Sequence, residues 1–437
     1  MTALSGRLSL PEPREAEPAL RWRAVRSGPF GVLDIGSTKV VALIGRVSGG
    51  ETVSVLGLGW KRAQGVKAGA IVDLDAADKV IRSAVGEAEN KAEHHLEHVT
   101  VTLACGSPES RLFNLQWPIG GRAVTPGDIH RLIEEGTRRA ATEGRHIVHT
   151  LPLGFSLDET EGVIDPSGLC CETLGLKLHV IDVASSALRN LRQTLARADL
   201  ALEAAVVAPL AAGLGVLTPD ERELGATVVD MGGGITAIGI FIEGQIIHAT
   251  QIPIGGQHVT NDIARLLSTS LDTAERLKTL YGNVEASPDD EREMLPVTVS
   301  GDDEPFAFER VPRRHLIEII RPRLEETLEL IKDRLDASGL TRDGASRVVL
   351  TGGACQLPGL RELAARILGR PVRLGRPMPL PGVPEENQGP GLAVAAGLLL
   401  WASGLDGGAG RLGREEFGRR RGGLIRRLVG ALRERFA

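Results

Sequence analysis

The sequence predicts an α/β protein of two lobes closing on one cleft, and two stretches carry that prediction. The first is ELGATVVDMGGGITAIGIFIE, from Glu223 to Glu243, read as strands over residues 226–229 and 235–242. They are joined by a turn at Asp230, Met231, Gly232, Gly233 and Gly234. Three consecutive glycines can take positive φ and have no Cβ, so backbone N–H groups can close around an anion. Asp230 ends the first strand, where it can hold the water shell of a Mg²⁺ ion. Alone, this stretch reads equally well as an ordinary Gly-rich hairpin. The second stretch, GVLDIGSTK, repeats strand, Asp, Gly and hydroxyls in the same order roughly two hundred residues earlier, with Asp34, Gly36, Ser37, Thr38 and Lys39. Two related hairpins facing one cleft are a means of gripping the phosphates of one nucleotide.

The pair resembles the phosphate-1 and phosphate-2 loops of the actin, Hsp70 and sugar-kinase superfamily. A third element, VVLTGGA over residues 348–354 with Pro358 and Gly359 following, resembles that superfamily's adenosine loop. Within the superfamily the sequence resembles the FtsA family of bacterial cell-division proteins. The matching segments are ELGATVVDMGGG, GGQHVTNDI (255–263), VVLTGGACQLPGL and LPLGFSLDETEGVIDPSGL (151–169). The three nucleotide loops are common to the superfamily, whereas the middle segment and the tail are specific. The resemblance implies an actin-like two-lobed ATPase fold with an inserted FtsA-type subdomain, IC, and a C-terminal amphipathic helix. It also implies ATP and Mg²⁺ as cofactors, with Asp34 and Asp230 positioning the metal. The remaining implied contacts are Gly36, Ser37, Thr38 and Lys39; Gly232, Gly233, Gly234 and Thr236; Gly256, Glu275 and Lys278; and Gly352 and Gly353. Glu275 and Lys278 also read as a solvated i, i+3 pair, and the order of the flanking loops favours binding.

The match departs from the superfamily where water would be activated. Hsp70-like members place a glutamate before the proline of the connecting helix, and here that residue is Ala208, ahead of Pro209. Most relatives carry a small hydroxyl directly after the three glycines and an acid two positions later. Here those sites are Ile235 and Ala237, with Thr236 displaced by one. No catalytic residue is assigned, and the expectation is nucleotide binding with very slow hydrolysis.

Length and composition bound the rest. With 437 residues the chain can form two or more cores, and 42% hydrophobic with 24% charged residues is ordinary for a globular protein. There is no run of eighteen apolar residues and no N-terminal apolar h-region, which speaks against a membrane span and against secretion. Cys105, Cys170, Cys171 and Cys355 lack zinc-like spacing and read as reduced, mostly buried thiols. Residues 419–437 hold seven Arg and one Glu, so a chain of net charge −5 carries about −11 on the remainder. An acidic body with a basic tail points to a partner for the tail and away from nucleic acid.

In chain order, residues 1–28 are Pro-, Glu- and Arg-rich and read as a disordered extension. Residues 29–104 begin the first lobe: a meander of strands, then a helix opened by Asp73 with apolar Val80, Ile81, Ala84 and Val85 at helical spacing. His94, His95 and His98 near its end read as a solvated helix end rather than a metal set. Residues 105–182 form IC, with strands over 111–117, 146–151, 154–157 and 176–181 and one helix over 126–142 capped by Thr125. Its Gly162, Pro166, Gly168 and Leu169 match a family pattern. The chain returns to the first lobe over 183–215 and enters the second over 216–254. Residues 255–344 resemble the family's IIB subdomain, with a long helix over 313–338 interrupted near Pro322. Residues 345–401 complete the second lobe.

A Gly-rich linker over 402–418 leads to the tail, 419–437. There Leu424, Ile425, Leu428, Val429, Leu432 and Phe436 fall on one helical face, and Arg426, Arg427 and Arg433 fill the other. This reads as a membrane-surface helix for an anionic leaflet; a helix docked on the body is the alternative. The resemblance then implies an adaptor that polymerises, ties the FtsZ ring to the cytoplasmic membrane and helps recruit later division proteins through IC. The FtsZ C-terminal peptide would meet IIB, with Arg313 and Arg314 as candidate contacts for an acidic segment. Two other readings stand beside it: a pilus-assembly adaptor of similar fold, and an Hsp70- or kinase-like ATP-hydrolysing enzyme.

Overall fold

The computed structural model describes residues 25–49, 52–298, 308–340 and 347–405. Its two main sheets follow one plan. In the first lobe Pro29–Ile35, Lys39–Ser48 and Thr52–Arg62 form an antiparallel meander. On the other side His98–Leu103 and then Ala201–Val207 add in parallel. In the second lobe the meander is Ala226–Met231, Thr236–Ile242 and Gln245–Ile252, and Val348–Thr351 and then Val372–Leu374 add in parallel. A parallel neighbour requires a crossover. In the first lobe helix Leu74–Ala92 supplies it; in the second, helices Gly256–Leu266, Leu271–Tyr281 and Arg313–Ser338 do.

Local chemistry sets several of these elements. The Asp73 carboxylate accepts from the N–H groups of Asp75 (3.0 Å) and Ala76 (3.1 Å), the cap expected of it. Val80, Ile81, Ala84 and Val85 are buried along one stripe of that helix. Ala226–Met231 is buried at every residue, as a strand covered on both faces must be. Where the chain crosses between lobes, helices Ala208–Val216 and Ala393–Ser403 pack backbone to backbone. A Cβ at Gly397 would lie 1.7 Å from the Ala211 carbonyl oxygen, so only glycine fits.

The insert has its own sheet, ordered Glu109–Pro118, Thr173–Ala184, Arg145–Leu157, Thr160–Val163. Helix Pro126–Ala140 covers one face, and Leu115, Ile129, Leu132, Ile133, Leu174 and Leu178 are buried between them. Thr125 caps that helix in a reciprocal box with Asp128.

Two expected interruptions are corrected. Helix Arg313–Ser338 runs unbroken through Pro322. An internal proline costs about 3 kcal/mol, and the buried stripe that includes Leu316, Ile320, Leu324, Leu328 and Ile331 outweighs it at roughly 1.5–3 kcal/mol per side chain. Similarly, residues 145–157 form one strand rather than two, because a bulge opposite Lys177 and Leu178 absorbs Pro152 and Leu153. Of the three histidines, His95 pairs with Glu89 at 2.8 Å, whereas His98 opens a strand. Among the described residues no group of three His, Cys, Asp or Glu could hold a metal. Cys105, Cys171 and Cys355 are buried free thiols and Cys170 is exposed. The expected linker starts later than 402, since Ala402 and Ser403 are buried at the end of helix Ala393–Ser403; the chain from 406, with the rest of the linker and the tail, lies outside the described residues.

Candidate functional site

The two Asp–Gly turns are copies in backbone register. Asp34 lies opposite Val41 and Asp230 opposite Ala237. The Gly36 N–H donates to the Lys39 carbonyl at 2.9 Å, and the Gly232 N–H donates to the Ile235 carbonyl at 3.0 Å. Position by position, Ser37 therefore corresponds to Gly233, Thr38 to Gly234 and Lys39 to Ile235. Among the described residues, the N–H groups of Ser37, Thr38, Gly233 and Gly234 donate to no other protein atom. Those four donors come from both lobes, on turns that lie against each other.

The turns touch. A Cβ at Gly233 would fall 2.3 Å from Thr38 Cγ2, and one at Gly234 would fall 2.4 Å from Ser37 Oγ. Positive φ is not the reason for these glycines, contrary to the sequence reading, since none of Gly232, Gly233 and Gly234 has it. Close approach is the reason. Gly352 is the opposite case: its φ is +87°, and a Cβ there would lie 2.4 Å from Asp230 Oδ1. Gly352 thus leaves room for the carboxylate beside it, and Gly353 follows in an open position.

Three charges share the cleft. Asp34 and Asp230 are only 7% and 8% exposed. Burial pushes both carboxyls up, Asp230 to about 7, where the charge of Asp34 adds to the effect. Burial pulls the Lys39 ammonium down, and attraction to both aspartates opposes that. Its Nζ donates to the Gly391 carbonyl.

Further contacts tie the surrounding elements to the turns. At the start of helix Gly256–Leu266, the Gly256 and Gln257 N–H groups donate to Gly232 and Gly233 carbonyls at 2.9 and 2.8 Å. Gly256 therefore supports the turn, and its N–H is already used. Lys278 is 12% exposed and donates to Gly256 O, Thr260 Oγ1 and Glu275 Oε2, so Lys278 is tied to the start of helix Gly256–Leu266 while Glu275 stays half exposed. Thr236 is corrected as a phosphate contact: it is fully buried, and its hydroxyl donates to Ile254 O at 2.8 Å. Ala208, Ile235 and Ala237 are buried, leaving apolar surface where a water-orienting group was missing in the sequence.

Two participants escaped the sequence reading. Gln257 Nε2 donates across the cleft to Ser37 O at 3.4 Å. The Pro390 carbonyl accepts from the Gly352 N–H at 3.3 Å, next to the Gly391 carbonyl that holds Lys39. The Gly-Pro-Gly at 389–391 was the available signal.

Arg313 and Arg314 sit together at the head of helix Arg313–Ser338, each already engaged. Arg313 faces Asp290 at 3.2 Å and Glu293 at 3.0 Å, and Arg314 faces Glu291 at 3.2 Å and Glu318 at 3.1 Å. On the same subdomain Leu266, Ile319 and Pro322 line a groove rimmed by Asp262, Glu318, Arg323 and Glu326.

Residues 227–397 match the family Cell division protein FtsA, and residues 106–182 match the SHS2 domain inserted in FTSA. The Cell division protein FtsA of Agrobacterium fabrum is 42% identical over 386 residues, 86% of this chain and 87% of that one. That of Escherichia coli K12 is 31% identical over 374 residues, 84% of this chain and 88% of that one. A solved PilM-PilN type IV pilus biogenesis complex superposes with TM-score 0.61 at 19% identity, covering 87% of this chain and 99% of that chain. That likeness speaks for the two-lobed actin-like fold alone. With such identity along most of both chains, and the inserted domain in place, this chain belongs to the FtsA family of actin-like cell-division proteins.

Proposed function

We propose that the cleft binds Mg-ATP, hydrolyses it very slowly, and supports assembly of copies that hold the FtsZ ring to the cytoplasmic face of the membrane. The observation that carries this reading is the contact of two turns from two lobes, with four N–H groups that have no protein acceptor among the described residues, beside Lys39, Asp34 and Asp230. Turn amides and an ammonium suit phosphate oxygens. Two buried carboxylates are hard oxygen donors, and Mg²⁺ is commonly held by one or two of these, with waters and phosphate oxygens completing its shell. The residues therefore fit the ion, which would neutralise phosphate charge when bound. At the three positions where the superfamily carries a water-orienting group, Ala208, Ile235 and Ala237 are buried and apolar, which favours slow hydrolysis.

The partners follow from family membership together with charge. The tail, with its six apolar side chains, contributes about 1 kcal/mol per Arg at an anionic leaflet. One tail binds weakly, and many in a polymer bind firmly. The FtsZ C-terminal peptide docks on the subdomain of helix Arg313–Ser338. There an acidic peptide competes with Asp290, Glu291, Glu293 and Glu318 for Arg313 and Arg314. The insert serves self-association and later division proteins.

The test is co-sedimentation of the full chain with FtsZ and anionic liposomes, with and without Mg-ATP, beside a chain lacking residues 419–437. The full chain should sediment, more so with Mg-ATP. The shortened chain should bind ATP and stay in the supernatant, as should most of Leu428→Glu. Equal liposome binding by the shortened chain would defeat the tether, and turnover of several per second would defeat the slow-hydrolysis reading.

A further inference from the structure

The insert leaves and rejoins the chain on the first lobe, yet one face of its sheet also grips the second. At its root the Ala184 N–H donates to Gly106 O at 2.8 Å, and within the insert's own sheet Asp182, 1% exposed, is paired with Arg111 and Arg145. Higher up, the Val207 N–H donates to His149 Nε2 at 3.1 Å, at the start of the helix that crosses between lobes. His149 also meets Trp401 edge-on, with ring centroids 6.1 Å apart. These contacts lie close to the covalent junction and to the two helices, Ala208–Val216 and Ala393–Ser403, where the chain crosses between lobes.

The attachment to the second lobe is different in kind. It consists of hydrogen bonds to one edge strand, Gln245–Ile252. A carbonyl can only accept, so His179 Nδ1 carries a proton and donates to Ile246 O at 2.8 Å. His179 is fully buried and its ring stays neutral, which leaves Nε2 to accept from the Ser110 hydroxyl. Ser110 Oγ in turn accepts from the Ala249 N–H at 3.1 Å. The proton directions close on themselves: Ala249 N–H to Ser110, Ser110 to His179, His179 to Ile246 O. Gln245 adds a bond to Leu153 O at 3.2 Å. An open strand edge is thereby satisfied by side chains of the insert instead of a further strand.

We propose that the Ser110–His179 bridge is a releasable latch: with the cleft closed it holds the insert at a set angle to the second lobe, and opening the cleft breaks it and frees the insert. Rotation of the lobes must strain one of the two attachments. Neutral hydrogen bonds to one strand yield before the two covalent connections at the root, which the Ala184–Gly106 bond holds together. The bridge is intact in the same structure in which the two Asp–Gly turns touch. In linking the insert to nucleotide this inference rests on the cleft being a nucleotide site.

The experiment uses the full chain with Ser110→Ala or His179→Phe. Amide exchange at Ala249 is followed, together with the distance distribution between labels on Cys introduced at exposed Glu161 and Arg361, in a Cys170→Ser background. In the wild type the distribution should be narrow and narrow further with Mg-ATP. In both variants, without nucleotide, Ala249 should exchange at least tenfold faster and the distribution should broaden. If His179→Phe melts early, Ser110→Ala, which removes one hydroxyl, decides. Unchanged exchange and an unchanged distribution in Ser110→Ala would overturn the latch. A wild type insensitive to Mg-ATP, with variants still broadened in its absence, would overturn the nucleotide reading and leave the latch standing.

Discussion

The two Asp–Gly hairpins share a backbone but not side chains, and the difference follows from their meeting. The hairpin of Pro29–Ile35 and Lys39–Ser48 carries Ser37, Thr38 and Lys39 at its turn; that of Ala226–Met231 and Thr236–Ile242 carries Gly233, Gly234 and Ile235 at the corresponding places. The side chains of the first occupy the volume where side chains of the second would begin, 2.3 Å at Thr38 and 2.4 Å at Ser37. Two copies facing each other at this distance cannot both be decorated. One hairpin supplies hydroxyls and the ammonium, and the other supplies bare backbone. The same asymmetry explains why one lysine answers to both carboxylates.

Breaking the shared volume should have the largest effect. Gly234→Val would put its side chain into Ser37 Oγ and against the Ala68 backbone, at 2.4 and 2.9 Å. It should hold the lobes apart and lower Mg-ATP affinity roughly 100-fold, about 3 kcal/mol, by calorimetry. Removing the ammonium comes next. Lys39→Ala leaves Asp34 and Asp230 without their common countercharge, and affinity should fall on the order of tenfold or more. A smaller, reversible effect tests the space-sharing itself. Gly233→Ala meets only Thr38, so it should weaken binding by a factor of a few, and Thr38→Gly in the same chain should restore most of it. If the double variant is no better than the single one, the clash is not the cause. Last, Thr236→Val should leave affinity unchanged while lowering stability by about 1–3 kcal/mol in denaturant titration, because Ile254 O loses its donor.

The buried bridge adds a pH dependence remote from the cleft. Burial holds His179 down at about 4, with His248 as its titratable neighbour. Its folded value lies below the ordinary 6.5, so stability is complete above pH 6.5 and is lost as pH falls toward 4. Thermal melts across that window should show the loss, and His179→Phe should remove this part of it.

Much of this was legible locally. Asp73 and Thr125 announce their helices because a cap bonds to N–H groups two or three residues on. The periods of 2 and 3.6 announce strands and stripes because neighbours on a face are neighbours in sequence. Pro322 and the expected break between 151 and 154 misled for the converse reason. A proline's local cost is readable, whereas the burial or the bulge that offsets it comes from other elements.

The sequence by itself determined that two strand–Asp–Gly hairpins exist, that a third Gly turn follows them, and which family they belong to. Only the tertiary structure decided that Gly233 and Gly234 are glycine on account of Thr38 and Ser37, that Lys39 is held by Gly391, and that Thr236 faces away. It alone brought Ser110 and His179 of the insert onto the second lobe's edge strand. Each of these depends on volume or a hydrogen bond shared by residues far apart in the chain. Such sharing exists only once the lobes have packed, and no local pattern records it.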